Sequence, residues 1–208
     1  MLRPKRKAGP LKNTQQKRAQ KSIANLIKDK DVPKIIGICG IYRSGSTWQF
    51  NVVKRILHVM GYTTSQCNNP WLENAYESDK DYHIIKTHHH FPELEEKAWK
   101  IFTSNRKQDE IIKSWERIKE LNPTFIQELN IDECQAELAK WDLVSNHKTW
   151  FGALATEGGK ITEIRNIAHA LDIILELDDA KEIYTFVEGI KTPRSGIVTG
   201  KQIGIAHV

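Results

Sequence analysis

Lys34-Ile-Ile-Gly-Ile-Cys-Gly-Ile-Tyr-Arg-Ser-Gly-Ser-Thr-Trp48 is the stretch on which the fold turns. Its first six residues form a short, continuous apolar run after Pro33, the pattern of a strand buried on both faces. A glycine-containing loop follows. Beyond it Val52, Val53, Ile56, Leu57 and Met60 recur at helical spacing, and Gly61 is a stop signal. The order is strand, loop, helix.

Working outward, Tyr82-His-Ile-Ile-Lys-Thr87 and Trp99-Lys-Ile-Phe-Thr103 read as two more strands. Helices are expected from about Asp109 to Leu121, from Asp132 to about Ala155, from Ile161 to Leu171 and from Asp179 to Gly189. Strands alternating with helices predict an α/β fold: a three-layer parallel sheet with helices on both faces, of the P-loop nucleotide-binding type, with a helix-rich C-terminal half. The 208 residues divide into a basic arm, 1–31, and one domain, 32–208.

The charge supports that division. Net charge is +5, yet residues 1–30 hold ten Lys or Arg and one acid, Asp29, so the remainder balances at −4. The arm reads as a solvated tail, with attraction to nucleic acid or an anionic membrane, or an organelle-targeting extension, as the sharper alternatives. No apolar run is long enough to span a bilayer, and no secretory pattern follows the basic start. Cys39, Cys67 and Cys134 are odd in number and widely spaced, which fits neither a disulfide framework nor a zinc knuckle. A cytoplasmic setting is the expectation.

Gly40-Ile-Tyr-Arg-Ser-Gly-Ser-Thr47 keeps the shape of a Walker A loop but has Ser46 at the lysine position. Such a turn aims successive backbone N–H groups at one point, and the helix N-terminus adds the positive end of its dipole. Ser44, Ser46 and Thr47 add hydroxyls, and Arg43 adds a charge able to fork onto an oxyanion. A plain strand-to-helix turn with a Ser or Thr cap explains the glycine and serines but not an arginine inside the loop. A nucleoside triphosphatase also needs a magnesium carboxylate at a neighbouring strand end. Here those ends read Lys86-Thr87-His88 and Ser104-Asn105-Arg106, so a phosphate held without metal is expected.

At this point three motifs match a family. Arg43-Ser-Gly-Ser-Thr-Trp48 resembles the 5′-phosphosulfate loop of the sulfotransferases that use 3′-phosphoadenosine 5′-phosphosulfate (PAPS). Ile85-Lys86-Thr87-His88 is similar to the strand end that delivers that family's catalytic histidine, and Asn105-Arg106 with Ser114 looks like its clamp on the 3′-phosphate. They occur in the family's order over roughly residues 34–120. Thr192-Pro-Arg194-Ser195-Gly196 looks like a shortened form of the segment that covers the cofactor, with Ser195 where lysine is usual. The family's tyrosine-glutamate-aspartate-leucine strand, due between Trp150 and Ile167, has no clear counterpart.

The resemblance implies sulfuryl transfer from PAPS to a hydroxyl or amine of a small-molecule or glycan acceptor, with 3′-phosphoadenosine 5′-phosphate (PAP) released and no metal required. It implies that Arg43 and the N–H groups of Ser44, Gly45, Ser46, Thr47 and Trp48 hold the 5′-phosphate, and that Lys86 stabilises the leaving charge. His88 would take the acceptor's proton and Trp48 would stack on adenine. Arg106 and Ser114 would bind the 3′-phosphate, and Arg194, Ser195 and Gly196 would cover the cofactor. Singly, each has a plainer reading: Trp48 as core, Lys86 as a surface lysine, Ser114 as a helix-surface serine, Arg106 paired with Asp109 or Glu110.

His88-His89-His90 suggests zinc, but adjacent residues of an extended segment point to opposite faces, so the three do not converge easily. His83 is expected to be structural. Trp71, Tyr76, Phe91 and Phe125 are acceptor-pocket candidates by position. Two other functions stay open: a metal-dependent small-molecule kinase on a similar loop, and a non-catalytic module that holds nucleotide or nucleic acid.

Overall fold

The structure is a computed structural model and describes residues 33–67, 79–121 and 129–190. The basic arm, Trp71, Tyr76, Phe125, and Arg194 with Ser195 and Gly196 lie outside the described residues.

Among the described residues five strands make one parallel sheet: β1 (Lys34–Gly40), β2 (Thr64–Cys67), β3 (Tyr82–Thr87), β4 (Lys100–Asn105) and β5 (His147–Trp150). Their order is β2-β3-β1-β4-β5, with β1 in the middle. The helices are α1 (Ser46–Val59), α2 (Pro92–Lys97), α3 (Gln108–Leu121), α4 (Ile131–Asp142), α5 (Glu157–Ala170) and α6 (Leu177–Gly189).

Both faces of β1 are covered, as its unbroken apolar run requires. Ile36 and Ile38, with Ile84 and Phe102, meet α1, α5 and α6 on one face. Ile35 and Cys39, with Ile85 and Ile101, meet Leu94 of α2 and Trp141 of α4 on the other. Ile38 is wholly buried, so truncating it to alanine costs about 2–5 kcal/mol. The chain leaves β1 toward the α1 face and leaves its neighbour β3 toward the opposite face. In open α/β sheets such a switch point, beyond the carboxyl ends of the strands, is where ligands bind.

Helix α1 stops where expected. Gly61 adopts φ +79°, its N–H donates to His58 O, and Tyr62 N–H donates to Leu57 O. That is a Schellman closure, and it favours a residue without Cβ.

The long helix expected over 132–155 is a correction. Helix α4 ends at Asp142, and 147–150 is the edge strand β5, paired in parallel with β4. Leu143 and Trp150 looked like core positions of a helix but are exposed, Leu143 at 88%. Asn146 settles the chain onto the sheet: its N–H donates to Ile101 O, and its Oδ1 accepts from Ile101 N–H. Thr149 alone of the strand's four residues is buried. The short elements β2 and α2 were also not expected from sequence.

Candidate active site

The turn between β1 and α1 depends on Gly45, which adopts φ +100°. A Cβ there would lie 2.2 Å from the Phe151 ring, so both backbone angle and space require glycine. Arg43 also has positive φ, +64°. Ser44 is wholly buried and its hydroxyl donates to Ile41 O at 2.8 Å. With that hydrogen committed, the 2.8 Å contact to Ser104 Oγ makes Ser104 the donor. These bonds tie the turn to the end of β4.

Helix α1 begins without a side-chain cap. Among the described residues, the N–H groups of Gly45, Ser46 and Thr47 donate no hydrogen bond. They are the unpaired donors that any helix start leaves, gathered on a glycine turn.

Cations crowd this point. Arg43 Nε donates to Ser114 Oγ at 3.0 Å, bringing together a loop residue and a helix residue 71 positions apart. Burial first, then the charges of Arg117 and Arg106, hold the Arg43 guanidinium below its ordinary range. Lys86, at the end of β3, donates from Nζ to Thr47 Oγ1 at 3.1 Å. Burial, with Arg43 beside it, pushes its ammonium down to about 8. Desolvated like charges around unpaired N–H groups make a seat for an anion.

His88 adjoins the same turn. Its Nδ1 lies 2.5 Å from Gly40 O. A carbonyl only accepts, so Nδ1 carries the hydrogen and Nε2 of the neutral ring keeps its lone pair. The ring stacks on Tyr42 with centroids 4.0 Å apart. Burial, followed by Lys86, pushes the imidazole down to about 4, so it is neutral at physiological pH.

The other expected residues are placed as follows. Trp48 is half-buried, packs edge-on against Phe151 and donates from Nε1 to Glu188 at 3.1 Å. Arg106 is paired with Glu110 at 2.6 Å. Ser46 is buried at the helix start. Phe91 is part-buried and packs against the α2–α4 core face. His83 is buried against Ser65 at 2.6 Å, as a structural histidine would be. The three histidines separate: His88 meets Gly40, His89 is exposed, and His90 pairs with Glu95 at 2.7 Å. Among the described residues no three His, Cys, Asp or Glu side chains gather as a metal site.

Sequence reasoning missed Tyr42, Ser104, Arg117 and Phe151. Tyr42 and Arg117 carried a usable signal: one precedes the loop arginine, the other lies one turn beyond Ser114 on the same face.

No protein-family model matches the chain, and no curated protein matches its sequence. Solved structures do match. Retinol dehydratase in complex with androsterone and inactive cofactor PAP aligns with a TM-score of 0.52 at 11% identity, over 74% of this chain and 64% of that one. Retinol dehydratase in complex with retinol and PAP gives 0.50 at 13% identity, over 75% and 65%. The likeness is one of fold. The chain spans less than two thirds of the length of either neighbour. No helix among the described residues is long and apolar enough to cross a membrane.

Proposed function

We propose that the protein is a sulfotransferase that moves a sulfuryl group from PAPS to a hydroxyl or amine acceptor. The observation that carries the reading is the convergence of unpaired N–H groups, Arg43, Lys86 and a neutral His88 at the carboxyl ends of β1 and β3. The shared fold with two PAP complexes supports it.

The residues present fit such a ligand. The N–H groups of Gly45, Ser46 and Thr47 are open donors, and the glycine keeps Cβ out of the cradle. Arg43 and those N–H groups would hold the 5′-phosphate, while Arg106 and Ser114 would hold the 3′-phosphate. Trp48 would meet adenine, and the Arg194-Ser195-Gly196 segment would cover the cofactor. PAPS, when bound, supplies a sulfuryl group on a phosphate leaving group.

The chain's own residues supply the rest. Lys86, buried beside Thr47, places a proton and a positive charge where negative charge collects, the preorganised stabilisation that dominates such reactions. His88, with hydrogen on Nδ1, offers Nε2 to the acceptor's proton. Its depressed basicity keeps it unprotonated in a pocket that already holds two cations. Neither β3, ending Lys86-Thr87, nor β4, ending Ser104-Asn105, carries in its own last residues the carboxylate that a magnesium-dependent kinase would place there. The acceptor in this reading is a small molecule or glycan.

Calorimetry with PAP against ATP-magnesium tests the class: PAP binds and ATP-magnesium binds far more weakly. Radiolabelled PAPS with an acceptor panel tests transfer, and His88→Ala lowers it by about a hundredfold or more. Tight ATP-magnesium binding without PAP binding sinks the reading, and unchanged transfer by His88→Ala sinks the role of the base.

A further inference from the structure

The three-histidine run is only partly used by the reaction above, and helix α4 is not used at all. The two meet. Cys134, Glu137 and Trp141 are spaced three and four residues apart, so they share one face of α4. Glu137 and Trp141 touch main chain of a loop that borders the site. His90 N–H donates to Glu137 Oε2 at 2.6 Å. Trp141 Nε1 donates to His89 O at 3.2 Å.

The main chain of the segment after β3 is thereby tied at several points. Thr87 Oγ1 donates to His89 O at 2.9 Å and accepts from His89 N–H at 3.1 Å. His90 pairs with Glu95 and lies against Trp141, with ring centroids 4.6 Å apart. Glu137 is itself held by Lys140, and its side chain is 18% exposed. Lys140 first, and then the His90 N–H, keep its carboxyl below the usual range, so the tie persists across neutral pH. With residues 89 and 90 fixed in this way, the ring of His88 is directed at Gly40 O.

We propose that Glu137 is a positioning residue: its hydrogen bond to His90 N–H fixes the 88–90 segment and so holds His88 on Gly40 with Nε2 free. The proposal rests on the reading of His88 as the base, and its test is made without donor or acceptor.

Nitrogen-15 histidine spectra of the free protein read the His88 tautomer and titration directly, with His88→Gln assigning the signal. The groups facing that ring are Lys86 and His89, with Tyr42 stacked upon it. Wild type shows the hydrogen on Nδ1 and a midpoint near 4. In Glu137→Ala the ring is released to solvent, the single tautomer is lost and the midpoint climbs toward about 6.5, the ordinary imidazole value. Glu137→Gln restores the wild-type signal, because an amide oxygen accepts the same N–H. Trp141→Phe removes the neighbouring tie and reads the same signal if Glu137→Ala does not fold.

A folded Glu137→Ala whose His88 titrates as in wild type overturns the proposal, and so does failure of Glu137→Gln to restore the signal. These outcomes are independent of whether the protein transfers sulfuryl groups. In an active protein Glu137→Ala lowers kcat by about tenfold or more while KM for PAPS holds, since a displacement of ~1 Å at a reacting group costs up to about a hundredfold. A rise in KM with kcat unchanged counts against the proposal.

Discussion

The turn after β1 and the turn after β3 lie side by side and are finished differently. After β1, the N–H groups of Gly45, Ser46 and Thr47 donate to nothing among the described residues, and Arg43 and Lys86 are pressed together away from water. After β3, His89 N–H, His89 O, His90 N–H and the His90 ring all have partners. Unpaired donors and desolvated cations cost free energy that a bound anion recovers. Paired ones hold geometry without a ligand. By the proposed reading the first turn waits for phosphate while the second holds a base ready, and the two join at the bond from His88 to Gly40 O.

The strongest way to break the comparison is at Gly45. Alanine there must adopt φ +100° and place Cβ 2.2 Å from the Phe151 ring. Backbone strain of about 1–3 kcal/mol adds to overpacking of similar size. The expected result is a lowered unfolding midpoint and PAP affinity weaker by about a hundredfold or more, the equivalent of ~3 kcal/mol. Gly158→Ala, in α5 with nothing within 4 Å of a Cβ, is the control and should stabilise by up to about 1 kcal/mol. A Gly45→Ala protein that binds PAP like wild type would mean that the anion sits elsewhere.

Protons give a finer contrast between the two turns. Lys86 is pushed down to about 8, so near pH 8 roughly half of it is neutral. An anion beside it favours the ammonium form and raises its pKa, so binding takes up protons. Calorimetry of PAP in two buffers of different ionisation enthalpy should show uptake of about half a proton at pH 8, well above the second phosphate pKa of about 6. Affinity then weakens as pH rises above 8. His88, at about 4, is neutral across this window and contributes nothing. Lys86→Met abolishes the uptake. Zero uptake by wild type at pH 8 would remove Lys86 from the anion seat.

The first turn was legible in the sequence because its signals are local. An apolar run, an internal arginine, Gly45 and the stop at Gly61 all fall within 28 residues. Arg43, Lys86 and His88 were legible by residue type at strand ends. The second turn's finish was not. His90 meets Glu137 47 positions away, and His89 meets Trp141 52 positions away. Strand β5 was read as helix for the same reason. Its place is fixed by Asn146 bonding Ile101 and by Gln49 donating to Thr149 at 2.8 Å across 100 residues. Four residues carry too little periodicity to announce a strand against a helical neighbour.

The smallest expected effect concerns Arg106, where the two ways of finishing a site compete within one residue. Its guanidinium carries a cation toward the Arg43 cluster, yet it is already paired with Glu110. That pair is about one-third exposed on each side, so it is worth under about 1 kcal/mol to stability. If Arg106 binds the 3′-phosphate, it must loosen from Glu110 or share its donors, and the like-charged carboxylate opposes the incoming anion. Glu110→Gln should therefore leave the unfolding midpoint nearly unchanged and tighten PAP by about two- to fivefold, a gain within the worth of one exposed pair. Adenosine 5′-phosphate, which lacks the 3′-phosphate, should show no comparable gain. Equal tightening of both nucleotides would make the effect a general one of net charge. No tightening of either would leave Arg106 a partner of Glu110 alone, and the clamp on the 3′-phosphate would then rest on Arg43, Ser114 and Arg117.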